Sequence, residues 1–367
     1  PAARPEGSPP GPAGPAGPGR RGPGGRGGGM SEAPSTKQQF VVISYDRATG
    51  KERWRTAVRE QLPHEGHHRD HGFASASPVT DGEVLIAHFG SFGTYGLDLA
   101  GKKLWEVDLG DMSTRNSFGE GSSPALDGDT VVILWDHEGE DFIVALDRKS
   151  GKELWRQKRD EPTGWSTPLI VSHGGKKQVV VNGTNKVRAY DLATGAPLWE
   201  AGGQTVNAIP TPLGADGVVY VTSGFRGSSI QAIRLGQSGD LTGGDGILWS
   251  QNRQTPYVPS PLLYDGLIYL YSGNNAMLSI LDAKDGTRSA EAERLEGITG
   301  VYASPVGAKD RVYLAGRDGG VLVLKRGPKI EVLATNKLDD GFDASPAAVG
   351  QELFLRGRQS LYCLSGN

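Results

Sequence analysis

The chain has 367 residues, a formal net charge of −3 and a hydrophobic content of 37%. That length suits a repeat fold or barrel built as one unit. No apolar run approaches the roughly 18 residues of a membrane-spanning helix, and the near-neutral charge lacks the concentrated basic surface of a nucleic-acid binder.

The first 30 residues, rich in Gly, Pro and Arg, offer almost no apolar side chains to bury. Residues 1–37 are therefore expected to be disordered. They contain no apolar stretch of about 7–15 residues, so they do not read as a signal peptide. A strand follows, Phe40-Val41-Val42-Ile43-Ser44-Tyr45, then a Thr49-Gly50 turn and a strand through Trp54.

From Pro78 onward the chain repeats. A Ser-Pro or Thr-Pro pair opens each unit, at Pro78, Pro124, Pro168, Pro212, Pro261, Pro305 and Pro346, at intervals of 41 to 49 residues. That is the length of one four-stranded propeller blade. A short apolar strand follows each proline, then a tight turn such as Asp81-Gly82, Asp127-Gly128 or Asp265-Gly266. Glycine accepts the positive φ such turns need. A β-branched strand comes next, as in Val131-Val132-Ile133, then a third strand ending in Leu146-Asp147, Tyr190-Asp191 or Leu281-Asp282. After a Gly-bearing turn the fourth strand brings a tryptophan: Trp54, Trp105, Trp155, Trp199 and Trp249. A large aromatic at a fixed place on an outer strand is expected to join neighbouring sheets. The last units keep the turn and lose the tryptophan, so their contacts are expected to be weaker. Cys363 is the single cysteine, which excludes an intrachain disulfide. Its Leu-Tyr-Cys-Leu setting reads as a strand interior.

These units predict an all-β, eight-bladed β-propeller of four-stranded antiparallel blades, N-terminally incomplete, over residues 38–367. Residues 40–58 supply a third and fourth strand with no first and second, and the unit led by Pro346 stops after three strands. A segment upstream of Pro1 is expected to supply the missing strands. The alternative is a seven-bladed ring closed by residues 51–58.

In such a ring the loops between blades share a face with the loops joining strands two and three, and loops on a rigid scaffold carry function. The inter-blade loops offer Arg115, Asn116, Glu120, Trp165, Asn207, Arg253, Tyr257, Tyr302 and Asp343 as candidate ligand-binding residues. The second set offers Asp136, His137, Arg226, Asn274, Arg317 and Arg356. An Arg-, Asn- and aromatic-rich mouth suits a protein partner or a small polar or anionic ligand. Four histidines fall within His64–His71, without a standard zinc spacing, and the segment is read as holding no metal. Asp136–Asp141 reads as a solvated acidic turn. No catalytic residue can be assigned.

The runs Tyr45–Trp54, Leu146–Trp155 and Tyr190–Trp199 resemble the tryptophan-docking repeat of the pyrroloquinoline-quinone-like (PQQ-like) propellers. That family includes the propeller of quinoprotein dehydrogenases and the BamB-like outer-membrane assembly proteins. The resemblance implies a non-catalytic binding or scaffold propeller of the cell envelope, periplasmic or secreted and monomeric. The alternatives are a PQQ-dependent dehydrogenase with calcium and a polysaccharide-recognising propeller. The dehydrogenases carry an adjacent cysteine pair near the quinone, which a chain with Cys363 alone cannot form. No cofactor is therefore expected.

Overall fold

The computed structural model describes residues 33–365. The disorder expected of the first 37 residues falls largely on 1–32, outside the described residues. Strands begin at Gln38.

The four strands of each unit pair antiparallel in chain order. In blade 1 they are Val79–Thr80, Val84–His88, Thr94–Asp98 and Lys103–Val107. Five further four-stranded blades follow, at 125–158, 169–201, 213–251, 262–294 and 306–337, and a three-stranded blade 7 at 347–365. The 49-residue interval between Pro212 and Pro261 has a structural cause. An extra strand, Gly239–Asp240, leaves blade 4 and pairs parallel with Pro197–Ala201 of blade 3.

The described chain thus has seven blades, not the eight expected. Among the described residues Gln38–Tyr45 and Glu52–Gln61 form a two-stranded ribbon that pairs only with itself. Without an inner strand pair the ribbon is no blade. Residues 51–58 do not close blade 7 by hydrogen bonding either, because their partners lie in the other ribbon strand. The ribbon instead lies between the ends of the ring. Phe40, Val42 and Val58 pack on Phe92, Tyr95 and Leu97 of blade 1. On its other side Arg47 pairs with Glu352 of blade 7, donates to Val349 O at 2.9 Å and lies 5.9 Å from the Phe354 ring centroid.

The core is a set of layers between blades. Side chains of a strand alternate between its two faces. In Thr130–Trp135, Val131, Ile133 and Trp135 meet Val84 and Ile86 of blade 1. Val132 and Leu134 meet Val179 and Val181 of blade 3. Both faces are covered, so the strand is apolar throughout instead of alternating.

The repeated tryptophans and glycines seen in sequence meet across these layers. Trp54, Trp105, Trp155 and Trp249 donate their indole N–H to backbone carbonyls of Leu99, Arg148, Leu192 and Ala283 in the next blade, at 2.8–3.1 Å. Each ring lies against the turn glycine there: Gly101, Gly151, Gly195 and Gly286, where a Cβ would come within 2.5–2.8 Å of the indole. Trp199 bonds Gln178 instead, at 2.9 Å. The unit after it lacks the short Gly turn, having the inserted strand in that place.

The Ser/Thr-Pro pairs form a second repeated contact. The N–H of the residue before the proline donates to the hydroxyl of its counterpart one blade on. The pairs are Ser77 to Ser123, Ser123 to Thr167, Thr211 to Ser260, Ser260 to Ser304 and Ser304 to Ser345, at 2.9–3.2 Å. Proline donates no N–H of its own, so the pair begins the inner strand where no ladder bond is lost.

Two expectations are corrected. Cys363 lies within a strand, as its setting suggests, but it is exposed, in the last described strand of blade 7. Asp136 and Asp141 are buried. Asp136 accepts two bonds from Arg159 at 2.6 and 2.9 Å, and Asp141 accepts one from Glu161 N at 2.6 Å. The two ends of the Asp136–Asp141 turn thus anchor the following loop, while its tip, Glu138–Glu140, is exposed as expected.

Candidate functional site

The residue three places before each repeat proline lines one central cavity. These residues are Ser75, Gly121, Trp165, Ile209, Val258, Tyr302 and Asp343, one from each inter-blade loop. The ladder of Ser and Thr hydroxyls holds each loop two residues further on, so the repeat itself sets this register. The cavity measures about 490 Å³ and is completed by His68, Asp70, His71, Ala74, Phe118, Tyr257 and Ala344. Its wall is mainly aromatic and aliphatic, with a few polar groups, the usual composition of a recognition pocket. Among the described residues no lysine or arginine lines it.

The segment before blade 1 lies across the ring. Asp70 pairs with Arg317 of blade 6 at 3.0 Å, and Arg317 also donates to Asp343 Oδ1 at 2.6 Å. The guanidinium stacks 4.0 Å from the Tyr302 ring centroid. Arg358 adds a bond to Asp343 at 3.0 Å. Burial opposes the charge on Asp70, but Arg317 outweighs it and holds the carboxyl below its usual range. His71 is pushed down to about 4 by burial, which outweighs its bond to Gly72 O. It stands in the wall as a neutral ring. Trp165 is fixed by its N–H to Gly119 O at 2.8 Å, and Tyr257 stacks on Phe225 with centroids 4.9 Å apart. The aromatic wall is therefore rigid before anything binds, which lowers the ordering cost of binding.

Of the residues singled out in sequence, Trp165, Tyr257, Tyr302 and Asp343 come together here, with Arg317 behind them. Asn274 supports the wall by accepting from Val258 N at 2.9 Å. Asn207 is buried close by, with its side-chain oxygen unpartnered. Arg115, Asn116, Arg226, Arg253 and Arg356 are exposed and do not line the cavity. Arg253 pairs with Glu291 at 3.0 Å, Arg226 lies over the Phe225 ring and Arg356 donates to Gly357 O. Asp136 and His137 are packed into blade 2, where His137 Nδ1 accepts from Ser113 N at 3.0 Å. Sequence reasoning did not place Phe118, Ile209, His68 or His71 in the wall. The fixed offset from each proline was the signal for Ile209.

Glu120 lines a second, smaller cavity of about 30 Å³ between blades 1 and 2. Its carboxylate accepts from Ser91 N at 2.7 Å and Ser91 Oγ at 2.5 Å. Burial pushes its pKa up to about 7, and the Ser91 bonds offset this in part. The close approach requires Gly90, at φ 57°, because a Cβ there would overlap the carboxylate.

Fold, docked tryptophans and central mouth together define a β-propeller of the PQQ-like repeat class. Residues 17–140 and 139–366 match the family described as outer membrane protein assembly factor BamB, and the chain belongs to that family. The crystal structure of BamB from Moraxella catarrhalis is similar over 80% of this chain and 82% of that one, with 18% identity and a TM-score of 0.57. The crystal structure of the computationally designed Ika8 protein is similar over 92% of this chain and 98% of that one, with 13% identity and a TM-score of 0.60. At these identities the likeness is one of fold. No curated protein matches the chain. Among the described residues no helix is long and apolar enough to cross a membrane.

Proposed function

We propose that this protein is a non-catalytic binding scaffold of the cell envelope that holds a protein partner over its central mouth. The observation that carries this reading is the cavity of about 490 Å³ to which all seven inter-blade loops contribute a wall residue. A rigid aromatic wall recognises an inserted side chain or loop through contact area and excluded water. The family's description as an outer membrane protein assembly factor supports the envelope setting and the protein partner. An anionic small ligand is less well matched, since Arg317, stacked on the wall residue Tyr302, is engaged by Asp70 and Asp343.

The test is site-specific photo-cross-linking in cells. A photoreactive residue replaces Tyr257 in the mouth or Lys284 in an outer turn of blade 5. A discrete cross-linked protein from position 257, absent from position 284 and lost in Trp165→Ala, is the expected result. Cross-links from position 284 alone, or from neither, would sink the proposal. Titration with PQQ and Ca²⁺ followed by absorbance addresses the dehydrogenase reading. Saturable quinone binding with dye reduction would overturn the non-catalytic assignment.

A further inference from the structure

The small cavity between blades 1 and 2 joins residues that are far apart in sequence. One ligand-type atom each from His64, Glu65 and Glu120 lies within 4.8 Å of the others. All three line the cavity of about 30 Å³. That space exceeds the roughly 10–15 Å³ needed for one water-sized occupant. Among the described residues no lysine or arginine lines it. Asp136, also in the wall, is neutralised by Arg159, whereas the hydrogen bonds to Glu65 and Glu120 come from neutral donors.

Those donors orient the carboxylates. Glu65 accepts from Thr114 Oγ1 at 2.5 Å and Thr114 N at 3.2 Å, and Glu120 is held by Ser91. The His64 ring meets Met112 O through Nε2 at 2.7 Å. As donor to that carbonyl, Nε2 leaves the other ring nitrogen with a lone pair. Hydrogen bonds from hydroxyls, backbone N–H and a carbonyl are how metal-ligating carboxylates and imidazoles are commonly held in place. A carboxylate has about four lone-pair directions, so each glutamate retains capacity for an ion.

We propose that His64, Glu65 and Glu120 bind one divalent transition-metal ion, with Zn²⁺ the best match. One imidazole and two carboxylates with a remaining position for water make a four-coordinate set suited to zinc. His64 is exposed, which gives the ion a way in. The ion ties the segment before blade 1 to the loop between blades 1 and 2, and so fixes the base of the segment that crosses the mouth. This site is independent of the partner-binding proposal, and either can fail alone.

The full chain, stripped with chelator, is titrated with Zn²⁺ by calorimetry, and metal content is measured after dialysis. One Zn²⁺ per chain is expected, with affinity falling more than about tenfold in His64→Ala and in Glu65→Gln/Glu120→Gln. His173→Ala, exposed on blade 3 and in neither cavity, should bind as the parent does. Circular dichroism confirms that each variant is folded. Should a variant fail to fold, modification of His64 by diethyl pyrocarbonate in the parent chain, slowed by bound Zn²⁺, supplies the same reading. The proposal is overturned if the parent chain takes up no stoichiometric Zn²⁺. It is equally overturned if the folded triad variants bind it unchanged, or if Zn²⁺ leaves His64 modification as fast as before.

Discussion

Blades 2 and 3 and the closing sector at blade 7 are made from one repeat, yet they bury it differently. In Lys176–Val181 of blade 3 the last four residues are fully covered, between layers supplied by blades 2 and 4. In blade 7 the inner strand Ala347–Val349 is exposed throughout, and Leu361–Ser365 is exposed at four of its five positions. The sequences are comparably apolar, so the difference comes from neighbours. A blade face is a core only when another sheet lies on it. Junctions without a tryptophan also differ from one another. Between blades 5 and 6, Tyr269 replaces the indole. Its hydroxyl donates to Gly327 O at 3.1 Å and accepts from Gly327 N at 2.8 Å, within a broad apolar layer. Between blades 6 and 7 the buried layer is smaller: Ala303, Ala315, Val321, Phe342 and Leu355.

The comparison can be broken most sharply at buried groups of the 2/3 junction. The Asp136–Arg159 pair is almost wholly buried, and Arg159 also donates to Tyr190 Oη at 2.6 Å. Arg159→Met leaves the carboxylate uncompensated, and a loss of about 3–5 kcal/mol is expected in denaturant unfolding. Trp155→Ala removes the indole from Gly195 and should cost about 3–5 kcal/mol. Leu364→Ala in blade 7, 39% exposed, should change stability by no more than about 0.5 kcal/mol. Equal losses at Trp155 and Leu364 would show that coverage by neighbours does not govern blade stability.

An intermediate effect is expected from pH. Burial alone pushes His88 of blade 1 down to about 4, where it accepts or donates to Thr94 Oγ1 at 2.8 Å. Its unfolded value is near 6.5. As pH falls through 6.5 the unfolded chain takes up a proton, and the folded chain does not until about 4. Stability is therefore lost between those values and no further below them, by at most about 3 kcal/mol. In His88→Gln that part of the slope should vanish. An unchanged slope would place the titration elsewhere.

The blades were legible because their determinants are local. Proline spacing, Asp-Gly turns and the Leu-Asp closing residue each act within one unit. Asp147 shows this, accepting from both the N–H and the hydroxyl of Ser150 in its own turn. Ring closure was less legible, since it depends on whether a ribbon finds inner strands, and no residue in 40–58 announces that. The site was legible where the repeat offset reaches it, at Trp165 and Tyr302. Glu120 was selected as a mouth residue, yet its partners His64 and Glu65 come from a loop more than 50 positions away. Only the ring geometry brings them together. Arginine was over-read for a related reason. Composition counts guanidinium groups, but the fold decides which have carboxylates beside them, as with Arg317 and Arg148.

Only a small effect on stability is expected at Arg317, and it separates scaffold from mouth. This side chain resembles Arg159 in pairing with carboxylates across elements, but it is 23% exposed and its partners Asp70 and Asp343 are 21% and 30% exposed. Solvent screening reduces such a pair to about 1 kcal/mol or less of global stability. Locally it holds Asp70, and through it the segment that crosses the mouth, against blade 6. Arg317→Met should leave the denaturation midpoint nearly unchanged while amide exchange in residues 68–76 accelerates several-fold. Exchange at Val131–Trp135, covered from both sides, should not change. The same acceleration in both segments would mean that the variant loosens the whole ring. Unchanged exchange in both would mean that the segment is held by the packing of Phe73 on Phe40 and Phe92 and of His68 on Phe118, with the ion pairs adding nothing.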